Sequence, residues 1–235
     1  MRLGRHGPLH GHPTLALSLV ALGAFALLAV LVSLGHLDAV DSYAVRHLMP
    51  FHSDEHRSTS TLARLLAYKG HRFHLGRALR LPAGVLVSSV LVVAGCALLW
   101  RRGLRRASVL WLLAFAAGNV VELGCKLAVT RPVLYEVSHG RLEPFGLLNS
   151  FPSGHAFRAA MLVAVAFALS PRTWPVLAAW LTAAVVTLEL DGVHTPSDLL
   201  GGLLLAATAV LAVLAFAQAP TPLPGRSSMR AVASG

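Results

Sequence analysis

The feature that most constrains this chain is a series of long apolar stretches with almost no charge inside them. They run from Thr14 to Leu34, Leu81 to Trp100, Ala107 to about Leu123 (with Glu122 at its end), near Pro152 to near Ser170, Trp174 to Leu190, and Asp198 to about Phe216. A helix crossing a bilayer needs about 20 mostly apolar residues. The first stretch is too long for a typical signal-peptide core and lacks a clear cleavage site. Only 13% of the residues are charged and 55% are hydrophobic, whereas a soluble domain carries roughly a quarter charged residues. The expected fold is therefore all-α: a polytopic membrane protein with a bundle of six transmembrane helices. Residues 1–13 are expected as a cytoplasmic N-terminal segment, 14–217 as the membrane domain, and 218–235 as a flexible cytoplasmic tail.

The short connections set the orientation. Arg2 and Arg5 precede the first span, Arg101, Arg102, Arg105 and Arg106 join the second and third, Arg172 joins the fourth and fifth, and Arg226 and Arg230 follow the sixth. None of these segments contains an acid, and every Asp and Glu falls elsewhere. The positive-inside rule then places both termini in the cytoplasm of a multi-pass cell-membrane protein. Loops 35–80, 124–152 and 191–197 face outward. The net charge of +10 is explained by this topology. Its cations are spread over both membrane faces, which argues against a nucleic-acid partner.

Within the first outer loop, Leu62, Leu65 and Leu66 recur at helical spacing beside Arg64 and Lys69, the pattern of an amphipathic helix lying at the interface. The same loop holds His36, His47, His52, His56, His71 and His74. Only His52 and His56 have the spacing of a helical metal site, so these histidines read as solvated or interfacial and no metal is expected. Cys96 and Cys125 fall near opposite faces of the bilayer, which disfavours a disulfide.

Three polar clusters lie at the outward ends of the spans. The first contains Lys126, Arg131 and Pro132; two cations there suit an anion, but taken alone the cluster reads better as interfacial snorkelling. The second is Phe151-Pro152-Ser153-Gly154-His155. Pro and Ser start helices, Gly permits close approach of a ligand, and the amides of a helix start attract phosphate. The third is His194-Thr195-Pro196-Ser197-Asp198. Its four-residue spacing puts Asp198 within reach of His194, so the carboxylate fixes one imidazole nitrogen and leaves the other as a nucleophile. Thr195 and Asp198 also fit a capping box. Ionisable groups at membrane depth read as functional, and all three clusters share one face.

Taken together, these clusters and the six-span layout resemble the type 2 phosphatidic acid phosphatase superfamily, which also includes the vanadium haloperoxidases. The resemblance covers roughly residues 14–216. The family motifs are Lys, six residues, Arg-Pro; then Pro-Ser-Gly-His; then Ser-Arg, five residues, His, three residues, Asp. The second matches in full at Pro152 to His155. In the third, His194 and Asp198 match, while Thr187 and Leu188 stand at the Ser-Arg positions. In the first, Lys126 matches, Arg131-Pro132 comes two residues early, and Val133 occupies the Arg position.

The resemblance implies a membrane lipid phosphate or pyrophosphate phosphatase that needs neither metal nor cofactor. His194 would attack phosphorus to form a phosphohistidine, Asp198 would orient His194, and His155 would protonate the leaving oxygen. Lys126, Arg131, Ser153 and the Gly154 amide would hold the phosphate. Arg158 lies on the same helix face as His155. It is expected either to return to the pocket the charge missing at Leu188, or to pair with Glu122, Glu189 or Asp191. A non-catalytic lipid-phosphate binder is the competing reading, favoured by Leu188 and Val133. A transporter would predict broken helices and repeat symmetry, and neither is present in the sequence. Oligomeric state and the identity of the lipid are not encoded in these motifs.

Overall fold

The computed structural model describes residues 11–48, 74–129, 150–190 and 193–218. Among them every regular element is helical. The α-helices are α1 (Gly11–Ser33), α2 (Asp38–Leu48), α3 (His74–Arg80), α4 (Val85–Arg101), α5 (Arg105–Ala128), α6 (Gly154–Leu169), α7 (Trp174–Leu190) and α8 (Pro196–Gln218), with short 3₁₀ turns at Leu81–Ala83 and Pro171–Thr173. The expected amphipathic helix near Leu62, the histidines His52, His56 and His71, Arg131, Val133 and the tail from residue 219 lie outside the described residues.

Four helices are long and apolar enough to cross a membrane: α1, α5, α7 with its preceding turn, and α8. Helices α4 and α6 are apolar but shorter, at 17 and 16 residues. The outward-turned surfaces are aliphatic, as at Val20, Val90, Val120 and Val176, each more than half exposed. Such a surface is stable only against lipid, so the chain is a membrane protein.

Helix boundaries follow local chemistry. The second stretch was expected to be helical from Leu81, but Pro82 sits in a 3₁₀ turn and Gly84 is extended (φ −62°, ψ 149°), so α4 starts only at Val85. Helix α5 continues beyond the expected end near Leu123 to Ala128. Its extra turn carries one charge, Lys126, which pairs with Glu122 one turn earlier, 2.6 Å away. Loop 35–80 contains two helices that sequence periodicity did not reveal, α2 and α3.

Helix α8 packs against α1, α5 and α6, and α6 packs in turn against α4 and α7. The core between them is aliphatic and aromatic, with Val32, Val92, Cys96, Leu99, Phe151, Phe157 and Met161 almost fully buried. Both cysteines are free thiols. Arg102 donates 2.6 Å to the carbonyl of Leu169, so the α4–α5 turn and the end of α6 lie at one end of the bundle. The end of α5 and the starts of α6 and α8 therefore gather at the other.

Candidate active site

At that second end the polypeptide is sewn together before any side-chain chemistry begins. Ser153 caps α6, its hydroxyl accepting the Ala156 N–H at 3.3 Å. The Ser153 N–H donates 2.9 Å to the carbonyl of Asp198, which fixes the start of α6 against the first turn of α8. Gly202 allows this contact, since a Cβ there would collide with the Ser153 carbonyl and meet the Ala156 Cβ at 3.0 Å. Phe151, fully buried, stacks on Phe25 of α1 with ring centroids 5.9 Å apart.

This frame makes the two histidines neighbours. The rings of His155 and His194 stand with centroids 6.1 Å apart and planes tilted by 56°. His194 is set by its own N–H, which donates 3.2 Å to the carbonyl of Leu188. Its Nδ1 lies 3.5 Å from Oδ2 of Asp198 and forms no aligned hydrogen bond. Asp198 is fully buried, and the same Oδ2 accepts the Thr195 N–H at 3.3 Å. The capping box and the His–Asp juxtaposition therefore coexist around one carboxylate.

Two of the cations expected at a phosphate, Lys126 and Arg158, share an internal carboxylate. Glu122 takes Lys126 on Oε1 at 2.6 Å and Arg158 on Oε2 at 2.7 Å. Arg158 is 4% exposed and also donates to Asn119 Oδ1 at 3.1 Å and to the Ala83 carbonyl at 2.9 Å. Of the two partners anticipated for Arg158, the structure thus shows a carboxylate, and it is Glu122 rather than Glu189. An unpaired guanidinium at this depth would be costly, and a planar fork is best satisfied by a carboxylate plus carbonyls. A Cβ at Gly154 would overlap the Glu122 carboxylate, so the glycine leaves room for an internal anion beside the first turn of α6. Lys126, Glu122 and Arg158 together leave one net positive charge beside Ser153 and His155.

Leu188, at the Arg position of the third motif, is 1% exposed and packs with Ala156 and Leu199. The chain thus fills that space with apolar volume. Among the described residues no group of three or more His, Cys, Asp or Glu is arranged as a metal site.

Residues 107–222 match the family model of the PAP2 superfamily. That segment of the chain carries the PAP2 superfamily pattern. No curated protein matches the chain. Among solved structures, a transmembrane PAP2-type phosphatidylglycerolphosphate phosphatase from Bacillus subtilis superposes with a TM-score of 0.59 at 17% identity, covering 85% of this chain and 95% of the other. At that identity the likeness establishes a shared PAP2 fold.

Some residues of this site were not legible beforehand. Asn119 lies one turn before Glu122 and looked like an ordinary polar residue in an apolar span. Asp41, fully buried in α2, accepts the Ser197 hydroxyl at 2.6 Å and the Ser197 N–H at 3.2 Å. It braces the start of α8, where an acid is favoured by the helix dipole. Arg80, at the end of α3, lines the same cavity as His155. The one available signal for Arg80 was a cation placed directly before Leu81-Pro82.

Proposed function

We propose that this protein is a membrane lipid phosphate or pyrophosphate phosphatase working through a phosphohistidine on His194. The observation that carries the reading is the pair of neighbouring imidazoles, one of which has a buried carboxylate facing its Nδ1. Nδ1 of His194 turned towards Asp198 leaves Nε2 as the attacking atom. Nε2 bonds phosphorus as the P–O bond to the leaving group breaks, and the leaving oxygen takes a proton from His155. Water, giving a proton back to His155, then cleaves the P–N bond and releases orthophosphate. The 3.5 Å His–Asp distance is long for a hydrogen bond, and such contacts commonly tighten only with substrate bound. Ser153, the Gly154 amide and Lys126 hold the phosphate oxygens, Arg131, five residues after Lys126 in the sequence, joins them, and Arg158 contributes charge through Glu122. Positioning and charge stabilisation do the work, with no metal or cofactor in the scheme.

The membrane arrangement belongs to the same proposal. α1, α4, α5, α6, α7 and α8 are the six spans, both termini are cytoplasmic, and the histidines face outward. Support comes from the acid-free arginine segments and from the grouping of Arg102 with the end of α6.

A non-catalytic lipid-phosphate binder is the second reading, and the apolar packing of Leu188 favours it. The two separate in one experiment: phosphate release from a panel of lipid phosphates and diphosphates by purified protein in EDTA, beside His194→Ala. Turnover that the substitution abolishes, together with its acid-labile phosphoprotein, supports the phosphatase. Binding without release by the unsubstituted protein supports the binder.

A further inference from the structure

The end of the bundle opposite the histidines is rich in arginine. The turn between α4 and α5 carries Arg101, Arg102, Arg105 and Arg106, the connection between α6 and α7 carries Arg172, and all five are exposed. Arg102 donates 2.6 Å to the carbonyl of Leu169, close in sequence to Arg172, so two connections far apart in the chain share one patch. Membrane orientation needs only the sign and side of such residues. It does not need them gathered.

The described acids, Asp38, Asp41, Glu122, Glu189 and Asp198, all lie towards the histidine end. Glu122 and Glu189 sit about 25 Å further along the helices that begin here, at 1.5 Å per residue, whereas charges at physiological salt are screened over about 8 Å. Helices α5 and α7 start at this end where α4 and α6 finish, so their dipoles offset one another and leave the arginines uncompensated.

Beside the cations the surface is apolar. Leu98, Trp100, Leu104 and Trp174 are between 46% and 60% exposed, and Arg105 stands over the Trp100 ring, 5.5 Å from its centroid. Trp at such a level is characteristic of a membrane–water interface. A ligand that satisfies both parts of this surface carries an anion and a hydrocarbon chain. Guanidinium forks suit phosphate through paired, charge-assisted hydrogen bonds. A bilayer offers phosphate and acyl chain in one molecule.

We propose that Arg101, Arg102 and Arg172 form a head-group site for an anionic phospholipid, whose chains lie against the apolar residues beside them. The site is separate from the histidines and does not depend on the reaction there. A lipid held across the two connections ties the α4–α5 turn to the end of α6 and stabilises the folded bundle by mass action.

The test uses the full chain, purified in a neutral detergent and titrated with phosphatidylglycerol or with phosphatidylcholine of the same acyl chains. Phosphatidylglycerol should raise the thermal midpoint at least ~4 °C more than phosphatidylcholine does. Arg101→Gln/Arg172→Gln should melt like the unsubstituted protein in phosphatidylcholine and lose more than half of the phosphatidylglycerol increment. Arg101→Lys/Arg172→Lys should keep part of it. Glycerophosphoglycerol, the same head group without chains, should give no increment. Equal shifts by the two lipids, or an increment that survives the glutamine double variant, overturn the site. A double variant that already melts lower in phosphatidylcholine makes these arginines internal braces and overturns it as well. An equal increment from the chain-free head group overturns the lipid assignment, because the patch then takes soluble phosphate anions.

Discussion

Replacing Glu122 by alanine leaves two cations, Lys126 and Arg158, facing one another across an empty space. The consequences for the two are unequal. The Lys126 side chain is 20% exposed, and its amine can reach the interface on its flexible stem. The Arg158 side chain is 5% exposed, and its fork is fixed by Asn119 and the Ala83 carbonyl, so it cannot follow. Breaking a buried pair by removing one partner costs about 3–5 kcal/mol, because the remaining charge stays desolvated. For a domain of this size each kcal/mol moves the melting midpoint by roughly 2–4 °C. Glu122→Ala should therefore melt at least ~6 °C lower in detergent. Arg158→Leu should fall by less, since Glu122 keeps Lys126 and only its Oε2 and two neutral acceptors lose a donor. The double variant Glu122→Leu/Arg158→Leu removes both charges, and replacing a buried pair by apolar volume is often close to neutral. It should recover about 2–3 kcal/mol relative to the sum of the single losses, the size expected of directly coupled residues. Unfolding can be followed through the fluorescence of buried Trp111. Additive losses would refute the argument, because they would mean that Glu122 is not what makes a guanidinium tolerable at this depth.

Three shorter predictions follow from the same geometry. Gly154→Ala should reduce turnover more than a hundredfold and lower the melting midpoint, because its Cβ displaces the Glu122 carboxylate; normal activity would place that carboxylate elsewhere. Leu188→Arg, which restores the family residue, should destabilise the protein by several kcal/mol, on the order expected for an unpaired buried charge, since Ala156 and Leu199 surround the position; a stable, more active variant would show that an anion is within reach. His155→Ala should slow esters of poor leaving groups by about 10²–10⁴-fold and esters of activated phenols far less. Equal slowing of both would remove His155 from the acid role.

The helices were legible because lipid imposes a simple rule on them, and Trp174–Leu190 was delimited to the residue. The errors arose where a local signal was overruled from a distance. Glu122 looked like the end of a span because a carboxylate should not enter one. It lies inside α5 because Arg158, 36 residues later, and Lys126 neutralise it. The histidines and Asp198 were legible as motif and spacing, but their nearness depends on the Ser153–Asp198 backbone bond, which spacing does not encode. Asp41 acts on Ser197 from 156 residues away, and no periodicity in α2 points to so remote a partner. Arg158 was rightly expected to meet an anion. That Glu122 is the carboxylate it meets depends on how α5 and α6 pack, with Gly154 leaving the room.

The brace from Asp41 to Ser197 bears on what counts as the unit of this protein. The segment that defines the family begins at residue 107, yet α8 within it has α1 lying along its length and its first turn capped from α2. A gene fragment encoding only the family segment would strip one flank of α8 and leave the Ser197 amide and hydroxyl without their acceptor, next to His194. The signature region is thus not a portable module: grafted into another membrane scaffold, it would carry the reactive groups but not the clamp that keeps them in register. The N-terminal hairpin, which bears none of the family's motifs, travels with the site or the site does not travel.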